Sequence, residues 1–271
     1  MMNEIIVTTT KQADALSEKR GREVAAFCSI PFVLRDDSVA RLLRRNNADT
    51  AYVVGPQKVD IRQGKHTIMV NASMYQLTAA AGRAHPLLHS ISPKGCPPVK
   101  HVLDATLGLA KDAIQVAGIL GCGVTGLESV PILTCLAEDG LARLAVQDRA
   151  WAAAAARITV HCTEATAWME QQAAENVDVV YLNPVFEHKL NAPPGFELLK
   201  QLAAGKALTL ELLQEAVCVA RERVVVKMPK ETYDLQTRCY SKSEMKECKR
   251  ATICKPYNQS INQSDVQHSD L

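Results

Sequence analysis

The feature that most constrains the fold is an alternation of short apolar strands with helical segments between residues 99 and 230. Two of these strands, DVVYLN (178–183) and RVVVKM (223–228), are almost wholly apolar, which is typical of strands buried on both faces of a sheet. The alternation predicts an α/β fold with a doubly wound, mostly parallel sheet. Ligands of such sheets bind at the carboxyl ends of the strands.

The other elements of this region follow from the same pattern. We expect further strands at residues 99–104, 124–128 and 157–161. Helices are expected at 111–120 and 131–144, and the stretch 190–222 is predicted to be rich in helix.

The first hundred residues predict a small α+β unit. Its helices are expected at 11–27 and 39–45, and its strands at 5–9, 51–54, 58–62 and 66–70, with a hairpin turn at 63–65. Ser38 is a good N-cap for the second helix. The turn-rich segment SPKGCPP marks a boundary. We therefore expect an N-terminal unit over 1–95, a larger domain over 96–257 and a polar, disordered tail over 258–271.

The composition is that of an ordinary globular protein. Hydrophobic residues make up 47% and charged residues 22% of the 271 residues. No apolar run approaches the roughly 18 residues of a membrane span, and the N-terminus lacks the pattern of a signal peptide. The nine cysteines form no C-x-x-C pair, and the histidines show no ligand spacing. We expect a cytoplasmic protein with neither a metal site nor a disulfide framework.

Charge is distributed unevenly along the chain. The net charge is +2, but residues 1–100 carry 14 Lys and Arg against 8 Asp and Glu, whereas residues 101–230 carry 11 against 15. A basic N-terminal unit is what a phosphate-rich partner such as RNA would select. A solvated surface that happens to be basic explains the excess equally well, so both interpretations stay open.

The segment LDATLGLAKDA (103–113) joins the first strand of the larger domain to its first helix. Asp104 ends the strand, Thr106 follows, and Gly108 lets the backbone pass close to a ligand. The G-x-G-x-x-G pattern of dinucleotide sites is absent, and Asp104 would repel a pyrophosphate. S-adenosylmethionine (SAM) has no phosphate and carries an ammonium and a sulfonium group. An acidic residue at this point therefore favours SAM as the cofactor.

Glu128 ends the second strand, 24 positions after Asp104. A carboxylate there can accept hydrogen bonds from both ribose hydroxyls. Either acid alone is typical of a helix cap or a surface charge, but the two at successive strand ends indicate a SAM site. Thr163 and Glu164 follow the third strand, where they either contact adenine or form the N-cap and first turn of the next helix.

Asn183-Pro184-Val185-Phe186 closes the strand 178–183 and fits the pattern (Asn/Asp)-Pro-x-(Phe/Tyr). The pattern is typical of methylation at a nitrogen conjugated to a carbonyl or an aromatic ring. The side-chain oxygen of Asn183 and the carbonyl of Pro184 can accept both N–H groups, and Phe186 can stack on a flat base. The alternative is a strand that ends in an Asn-Pro turn beside a core Phe.

His188 and Lys189 come shortly after this motif. They are candidates for contacting a substrate phosphate or for helping to remove a proton from the methylated amine. A solvated loop with neither role is the alternative.

The chain resembles a family of predicted bacterial SAM-dependent methyltransferases in four segments, which are DATLGLAKDA, GLES, VVYLNPVFEHK and RVVVKMP. That family is related to the enzyme that methylates N2 of a guanine in 16S ribosomal RNA. The similarity covers residues 99–230, and the N-terminal unit also resembles the family. It implies a class I, Rossmann-like methyltransferase fold with SAM as cofactor and ribosomal RNA as partner.

The resemblance also implies roles for individual residues. The wall around the methionine part of SAM comprises Asp104, Thr106, Gly108 and Asp112. Glu128 would hold the ribose, and the target base would face Asn183, Pro184 and Phe186.

Two positions depart from the RNA enzyme. Ala110 stands where that enzyme has a glycine, and Asn183 replaces an aspartate. An amide still accepts a hydrogen bond from an amino group, but it cannot take up a proton or offset a developing positive charge.

We therefore expect a SAM-dependent N-methyltransferase that acts on an exocyclic amino group, with guanine N2 in ribosomal RNA as the leading target. The same class of enzyme acting on DNA, protein glutamine or a small molecule is an alternative, since Asn-Pro-x-Phe fits them all. A SAM-binding module that has lost catalysis is another, because Asn183 replaces the aspartate.

Overall fold

The computed structural model of the chain describes residues 4–73, 75–184, 195–203, 208–227 and 251–254. Within these ranges the backbone forms two sheets. The smaller sheet has four strands in the order β1-β2-β3-β4, and the larger has six in the order β10-β9-β8-β5-β6-β7. The small α+β unit and the larger α/β arrangement are thus both present.

The smaller sheet comprises β1 (Ile5–Thr9), β2 (Thr50–Val54), β3 (Val59–Gln63) and β4 (His66–Ile68). β1 and β2 are parallel, whereas the β2–β3 and β3–β4 pairs are antiparallel. The predicted hairpin turn joins β3 to β4, and Gly64 adopts a φ of +54° there, which costs glycine little. These strands are confirmed, although β4 ends at Ile68 rather than at residue 70.

Two helices cover opposite faces of this sheet. α1 (Ala15–Cys28) packs against the face that carries Val7, and α2 (Val39–Arg45) packs against the face that carries Ile6. α1 begins at Ala15 rather than at residue 11, because the Asp14 side chain accepts a hydrogen bond from the Ser17 N–H at 2.8 Å and caps the helix there. Ser38 caps α2 as predicted.

The next helical segment packs against the larger sheet. It consists of α3 (Tyr75–Ala81), a 3-10 turn (82–84) and α4 (Pro86–Ile91). Leu88 and Ile91 are fully buried in a core that also contains Val102 of the larger sheet. Residues before position 95 therefore share a core with the predicted larger domain. The domain boundary itself stays a prediction.

The larger sheet comprises β5 (His101–Asp104), β6 (Gly123–Glu128), β7 (Ile158–Cys162), β8 (Val177–Leu182), β9 (Ala220–Lys227) and β10 (Ala251–Cys254). Each neighbouring pair of its strands is parallel. All six residues of β8 are buried, as the apolar run predicts. β10 lies outside the predicted strands.

The helices of this domain are α5 (Lys111–Gln115), α6 (Pro131–Gln147), α7 (Arg149–Ala155), α8 (Ala165–Met169), α9 (Phe196–Leu202) and α10 (Leu210–Val219). α5 continues into a π-helix over 116–120. α5 and α7 pack on the face with Val102 and Val179, whereas α8 and α10 pack on the face with Leu103 and Val180. Helices on both faces of a parallel sheet confirm the doubly wound fold.

α6 joins the two sheets. Its N-terminal residues Leu133 and Leu136 pack into the core of the smaller sheet, whereas Leu141 packs into the core of the larger. Asp139 is 6% exposed and accepts hydrogen bonds from Tyr52 Oη at 2.6 Å and from Arg20 Nε at 2.8 Å. These buried polar contacts fix the smaller sheet against α6.

Candidate active site

Three predicted site residues lie at the carboxyl ends of neighbouring parallel strands. Asp104 is the last residue of β5, Glu128 is the last of β6, and Asn183 directly follows β8. β5 lies between β6 and β8. The three residues therefore lie at one edge of the sheet, where ligands of doubly wound folds bind.

The loop that follows β5 is tied to both neighbouring strands. The Ala105 N–H donates to the Tyr181 carbonyl, and the Leu107 N–H donates to the Leu127 carbonyl, each at 3.0 Å. Gly108 adopts a φ of +53°, and a Cβ at this position would meet no atom within 4 Å apart from its chain neighbours. The loop thus presents open backbone at the sheet edge.

Glu128 fixes this loop. Its Oε2 accepts a hydrogen bond from the Gly108 N–H at 3.1 Å, and its Oε1 accepts one from the Val130 N–H at 2.9 Å. Each carboxylate oxygen has a further lone pair, so the carboxylate can hold the loop and also accept a pair of hydroxyl groups.

Asp104 is almost entirely buried, with 2% of its surface exposed. Its burial and the negative charge of Asp112 raise the pKa of Asp104 to about 7, although the Thr106 N–H, which donates to its Oδ1 at 3.2 Å, works in the opposite direction. A carboxylate that is costly to ionise without a partner is suited to a cationic ligand.

Asp112, in the first turn of α5, connects three parts of the site. It accepts hydrogen bonds from Tyr181 Oη at 2.7 Å, from Asn183 Nδ2 at 3.0 Å and from Lys227 Nζ at 2.9 Å. Burial opposes its ionisation, but the Lys227 charge and these three hydrogen bonds hold the pKa of Asp112 below its usual value. Asp112 is therefore ionised at neutral pH.

Asn183 is held at both its main chain and its side chain. Its N–H donates to Thr106 Oγ1 at 2.6 Å, and its Nδ2 donates to Asp112. Because the amide nitrogen of Asn183 donates to a carboxylate, its Oδ1 is the side-chain atom that can bind a ligand, and this oxygen can only accept hydrogen bonds. No residue in the described ranges donates a hydrogen bond to this oxygen.

Thr163 and Glu164 lie beyond β7, next to β6. The Glu164 side chain accepts a hydrogen bond from the Ala167 N–H at 3.0 Å and is the N-cap of α8. The Thr163 N–H donates to the Glu128 carbonyl at 3.0 Å. The N-cap is thus Glu164 rather than Thr163, so the predicted capping pattern is wrong by one residue, and the adenine contact of either residue stays a prediction.

Three predicted residues, Phe186, His188 and Lys189, lie outside the described residues. Pro184 is described and buried. The structure brings together Asp104, Thr106, Gly108, Asp112, Glu128 and Asn183.

Lys227 and Tyr181 belong to this site but were missed by the sequence analysis. Lys227 follows VVV at the carboxyl end of a buried strand, where ligands of parallel sheets bind, and this signal was available in the sequence. Tyr181 lies inside an apolar run and gave no such signal. Burial lowers the pKa of His85, and the nearby charge of Lys227 lowers it further.

Ala110 adopts the left-handed conformation, with a φ of +54°, immediately before α5. This conformation costs a non-glycine residue about 1–2 kcal/mol. We expect Ala110→Gly to raise the free energy of unfolding by about 1 kcal/mol, as measured by urea denaturation.

Ala113 serves as the matched control, because it is buried in α5 with helical geometry. Ala113→Gly is expected to lower the free energy of unfolding by about 1 kcal/mol. Destabilisation by both substitutions would contradict the strain that we assign to Ala110.

Within the described residues, no group of three or more His, Cys, Asp or Glu side chains is placed to hold a metal ion. The helices of the same ranges include none that is long and apolar enough to cross a membrane.

Known proteins are similar to this chain in sequence and in fold. A family model described as "Putative SAM-dependent methyltransferase" matches residues 38–252. A solved SAM-dependent methyltransferase from Neisseria gonorrhoeae aligns over 83% of this chain and 85% of its own, with a TM-score of 0.59 and 23% identity. At that identity the structural likeness shows a shared fold.

Several relatives bear the name "Ribosomal RNA small subunit methyltransferase J". The protein from Hahella chejuensis is 30% identical over 231 residues, which are 81% of this chain and 81% of that protein. The protein from Pseudomonas aeruginosa is 32% identical over 219 residues, 79% of this chain and 78% of that protein.

Other relatives match over a shorter stretch. The protein from Marinobacter nauticus is 40% identical over 132 residues, 48% of this chain and 47% of that protein. The chain thus spans about half the length of this relative. The match to the family model covers most of the chain and includes the strand ends that carry Asp104, Glu128 and Asn183. The chain belongs to the family of SAM-dependent methyltransferases.

Proposed function

We propose that the chain is a SAM-dependent N-methyltransferase that methylates an exocyclic amino group, with N2 of a guanine in small-subunit ribosomal RNA as its target. The geometry around Asn183 supports an amino nitrogen as the acceptor of the methyl group. Relatives named as ribosomal RNA methyltransferases support RNA as the substrate class. The choice of guanine N2 rests on the resemblance of VVYLNPVFEHK to the corresponding enzyme.

The observation that carries the proposal is the fixed amide of Asn183. Because Nδ2 donates to Asp112 and the main-chain N–H donates to Thr106, Oδ1 is left to accept an N–H of the target amine. The carbonyl of Pro184 is the second acceptor in this proposal. Two acceptors orient the amino group, whose lone pair is otherwise delocalised into the base.

Asp112 supplies the negative charge that Asn183 lacks. A nitrogen that gains a methyl group also gains positive charge, and an ionised carboxylate one hydrogen bond behind Asn183 stabilises that charge. Lys227 keeps Asp112 ionised, and Tyr181 and Lys227 together hold it in place. In this account the amide and the carboxylate act as a unit.

The ends of β5 and β6 fit SAM. Bound SAM supplies the electrophilic methyl group. We assign Asp104, Thr106 and Gly108 to its methionine part, which Asp112 borders, because a buried carboxylate beside bare backbone suits an amino acid with an ammonium group. We assign Glu128 to the ribose. Thr163 and Glu164, at the end of the next strand, border the adenine in this proposal.

One observation favours a second candidate, a SAM-binding module without catalysis. The neutral amide of Asn183 stands where the resembled RNA enzyme has an aspartate. If this candidate is correct, the wild-type chain binds SAM without transferring its methyl group, and Asn183→Asp gains activity.

The test is methyl transfer from SAM labelled in its methyl group. The full chain is incubated separately with 16S ribosomal RNA transcribed in vitro, with duplex DNA and with a glutamine-containing peptide. We expect label in the RNA alone and, after digestion to nucleosides, in N2-methylguanosine. Label in the DNA or the peptide instead, or a SAM-binding protein that labels none of the three, would contradict the proposal.

The raised pKa of Asp104 makes SAM binding depend on pH. Below about pH 7 the free carboxyl is mostly protonated, and it must ionise to hold the ammonium group. We expect SAM binding at about pH 6 to release about one proton, and the Kd to decrease as the pH rises to about 7 and then to level off. Isothermal titration in buffers of different ionisation enthalpy measures the proton count. A buffer-independent heat with a constant Kd would be the opposite result.

A further inference from the structure

One face of the smaller sheet is only partly covered. On that face Leu42 of α2 packs against Ile6, Ala51 and Val53, which belong to β1 and β2. On β3, Asp60 pairs with Val53 and Arg62 pairs with Ala51. Since paired residues of neighbouring strands point to the same side, Asp60 and Arg62 extend this face beyond the apolar contact with α2.

Asp60 holds two cations on this face. Its carboxylate, 2% exposed, accepts a hydrogen bond from Arg62 Nη2 at 3.0 Å and lies 3.6 Å from Lys58 Nζ. The Arg62 and Lys58 side chains are 31% and 58% exposed. One carboxylate therefore anchors two positive charges whose outer surfaces still reach solvent, and the group keeps an excess of positive charge.

Arg35 adds a third cation, whose charge is close enough to that of Arg62 for the two to repel each other. Its Nε and Nη1 atoms are buried and donate no hydrogen bond to any residue in the described ranges. Burial and the Arg62 charge lower the pKa of Arg35, and Asp37 opposes them. The Asp37 carboxylate already accepts hydrogen bonds from the Ser38 N–H and from Arg41. Two guanidinium nitrogens without an acceptor cost folding free energy, and an anion that reaches the exposed side of Arg35 would offset part of it.

We propose that Arg35, Lys58 and Arg62 bind a backbone phosphate of the RNA substrate. A guanidinium presents donors in a planar fork that matches phosphate oxygens, and Asp60 orients that of Arg62. The inference rests on the proposed function in one respect, namely that the polyanion is RNA. It assigns a site to the basic N-terminal unit, where the sequence alone shows only an excess of charge.

The smaller sheet also contacts the start of α9. Arg62 pairs with Thr67 across β3 and β4. Gly195, which precedes α9, packs so closely on β4 that a Cβ there would lie 2.8 Å from the Thr67 carbonyl oxygen and 2.6 Å from Ile68 Cγ2. The sheet that carries Arg62 therefore also supports the start of α9. Because α6 packs into the cores of both sheets, a phosphate bound at this sheet would fix RNA relative to the larger domain.

The test is Arg35→Met in the full chain, with binding of a labelled single-stranded RNA of about 20 nucleotides followed by fluorescence anisotropy. We expect the Kd to rise about tenfold, and the slope of log Kd against log salt concentration to fall by about one. The thermal midpoint should stay the same or rise, because two nitrogens of the replaced guanidinium have no acceptor in the described residues. A merely structural arginine would lower the midpoint instead.

Lys19→Met is the matched control, because Lys19 is 74% exposed on α1, on the opposite side of the sheet, and its loss removes the same charge. It should leave the RNA Kd within about twofold of the wild type. Lys58→Gln tests the site independently should Arg35→Met fail to fold, and we expect it to weaken RNA binding as well.

Equal effects of Arg35→Met and Lys19→Met, or an unchanged Kd in Arg35→Met, would overturn the site. If the wild type methylates RNA and Arg35→Met binds RNA as the wild type does, the site is wrong and the proposed function stands. If RNA binding depends on Arg35 but the wild type methylates no RNA, the site is supported and the proposed function fails.

Discussion

Asn183→Ala is expected to lower the kcat of methyl transfer by about 10²–10³-fold, a typical effect of removing one group that acts on the transition state. The substitution removes the acceptor for the target amine. It also leaves Asp112 without its link to the substrate, although Tyr181 and Lys227 still hold that carboxylate. The variant is compared with the wild type by single-turnover transfer of a labelled methyl group to RNA.

The Kd of SAM should stay within about threefold of the wild type, because the Asn183 main-chain N–H still donates to Thr106. Asn183→Asp is the matched control. The aspartate keeps one oxygen that can accept a hydrogen bond from the target amine. Its other oxygen lies against Asp112, and the two carboxyl groups share a proton there. We therefore expect a rate of methyl transfer within about tenfold of the wild type. Loss of SAM binding in Asn183→Ala, or activity equal to the wild type, would show that Asn183 has a different role.

Asp104→Asn is expected to change ligand binding and stability in opposite directions. The Kd of SAM should rise by about 10²-fold or more, because the buried charge that pairs with the ammonium group is removed. The unliganded protein should become more stable at about pH 8, by roughly 2–4 kcal/mol, because the wild type must keep a buried carboxylate ionised there.

The sign of the stability change follows from the pKa. The folded-state pKa of Asp104 lies above its unfolded value of 3.8, so the folded protein binds more protons between about pH 4 and 7, and wild-type stability falls as the pH rises through this range. The stability of Asp104→Asn does not fall in this way, because the variant has no carboxyl group at this position. Urea denaturation at about pH 5 and about pH 8 should therefore show that the difference in the free energy of unfolding between Asp104→Asn and the wild type grows with pH. A variant that is less stable than the wild type at both pH values would refute this account of Asp104.

The sequence predicts the strand-end residues because parallel strands obey a simple rule. The segments 99–104, 124–128 and 178–183 are recognisable as strands of one parallel sheet. The residues at their carboxyl ends must therefore lie at the same edge of that sheet, and these residues are Asp104, Glu128 and Asn183. Strand periodicity and the caps at Asp14 and Ser38 are likewise local, so most elements of the fold were predictable.

The network around Asp112 could not be predicted in the same way. It requires β9, which carries Lys227, to pair with β8, which carries Tyr181, and both side chains to reach the first turn of α5. This arrangement depends on strand order and helix packing rather than on local sequence. The left-handed conformation of Ala110 and the position of Arg35 beside Arg62 also depend on tertiary packing. These are the features that decide the electrostatics of both proposed sites.

The central claim is that the ends of β5 and β6 hold SAM, and isothermal titration of SAM into the purified chain tests it most directly. Asp104→Ala and Glu128→Ala are measured beside the wild type, with Glu170→Ala as a control at an exposed glutamate of the same domain. We predict micromolar binding by the wild type and by Glu170→Ala, and no measurable binding by the other two. A folded wild-type protein that binds no SAM, or equal binding by all four proteins, would contradict the account.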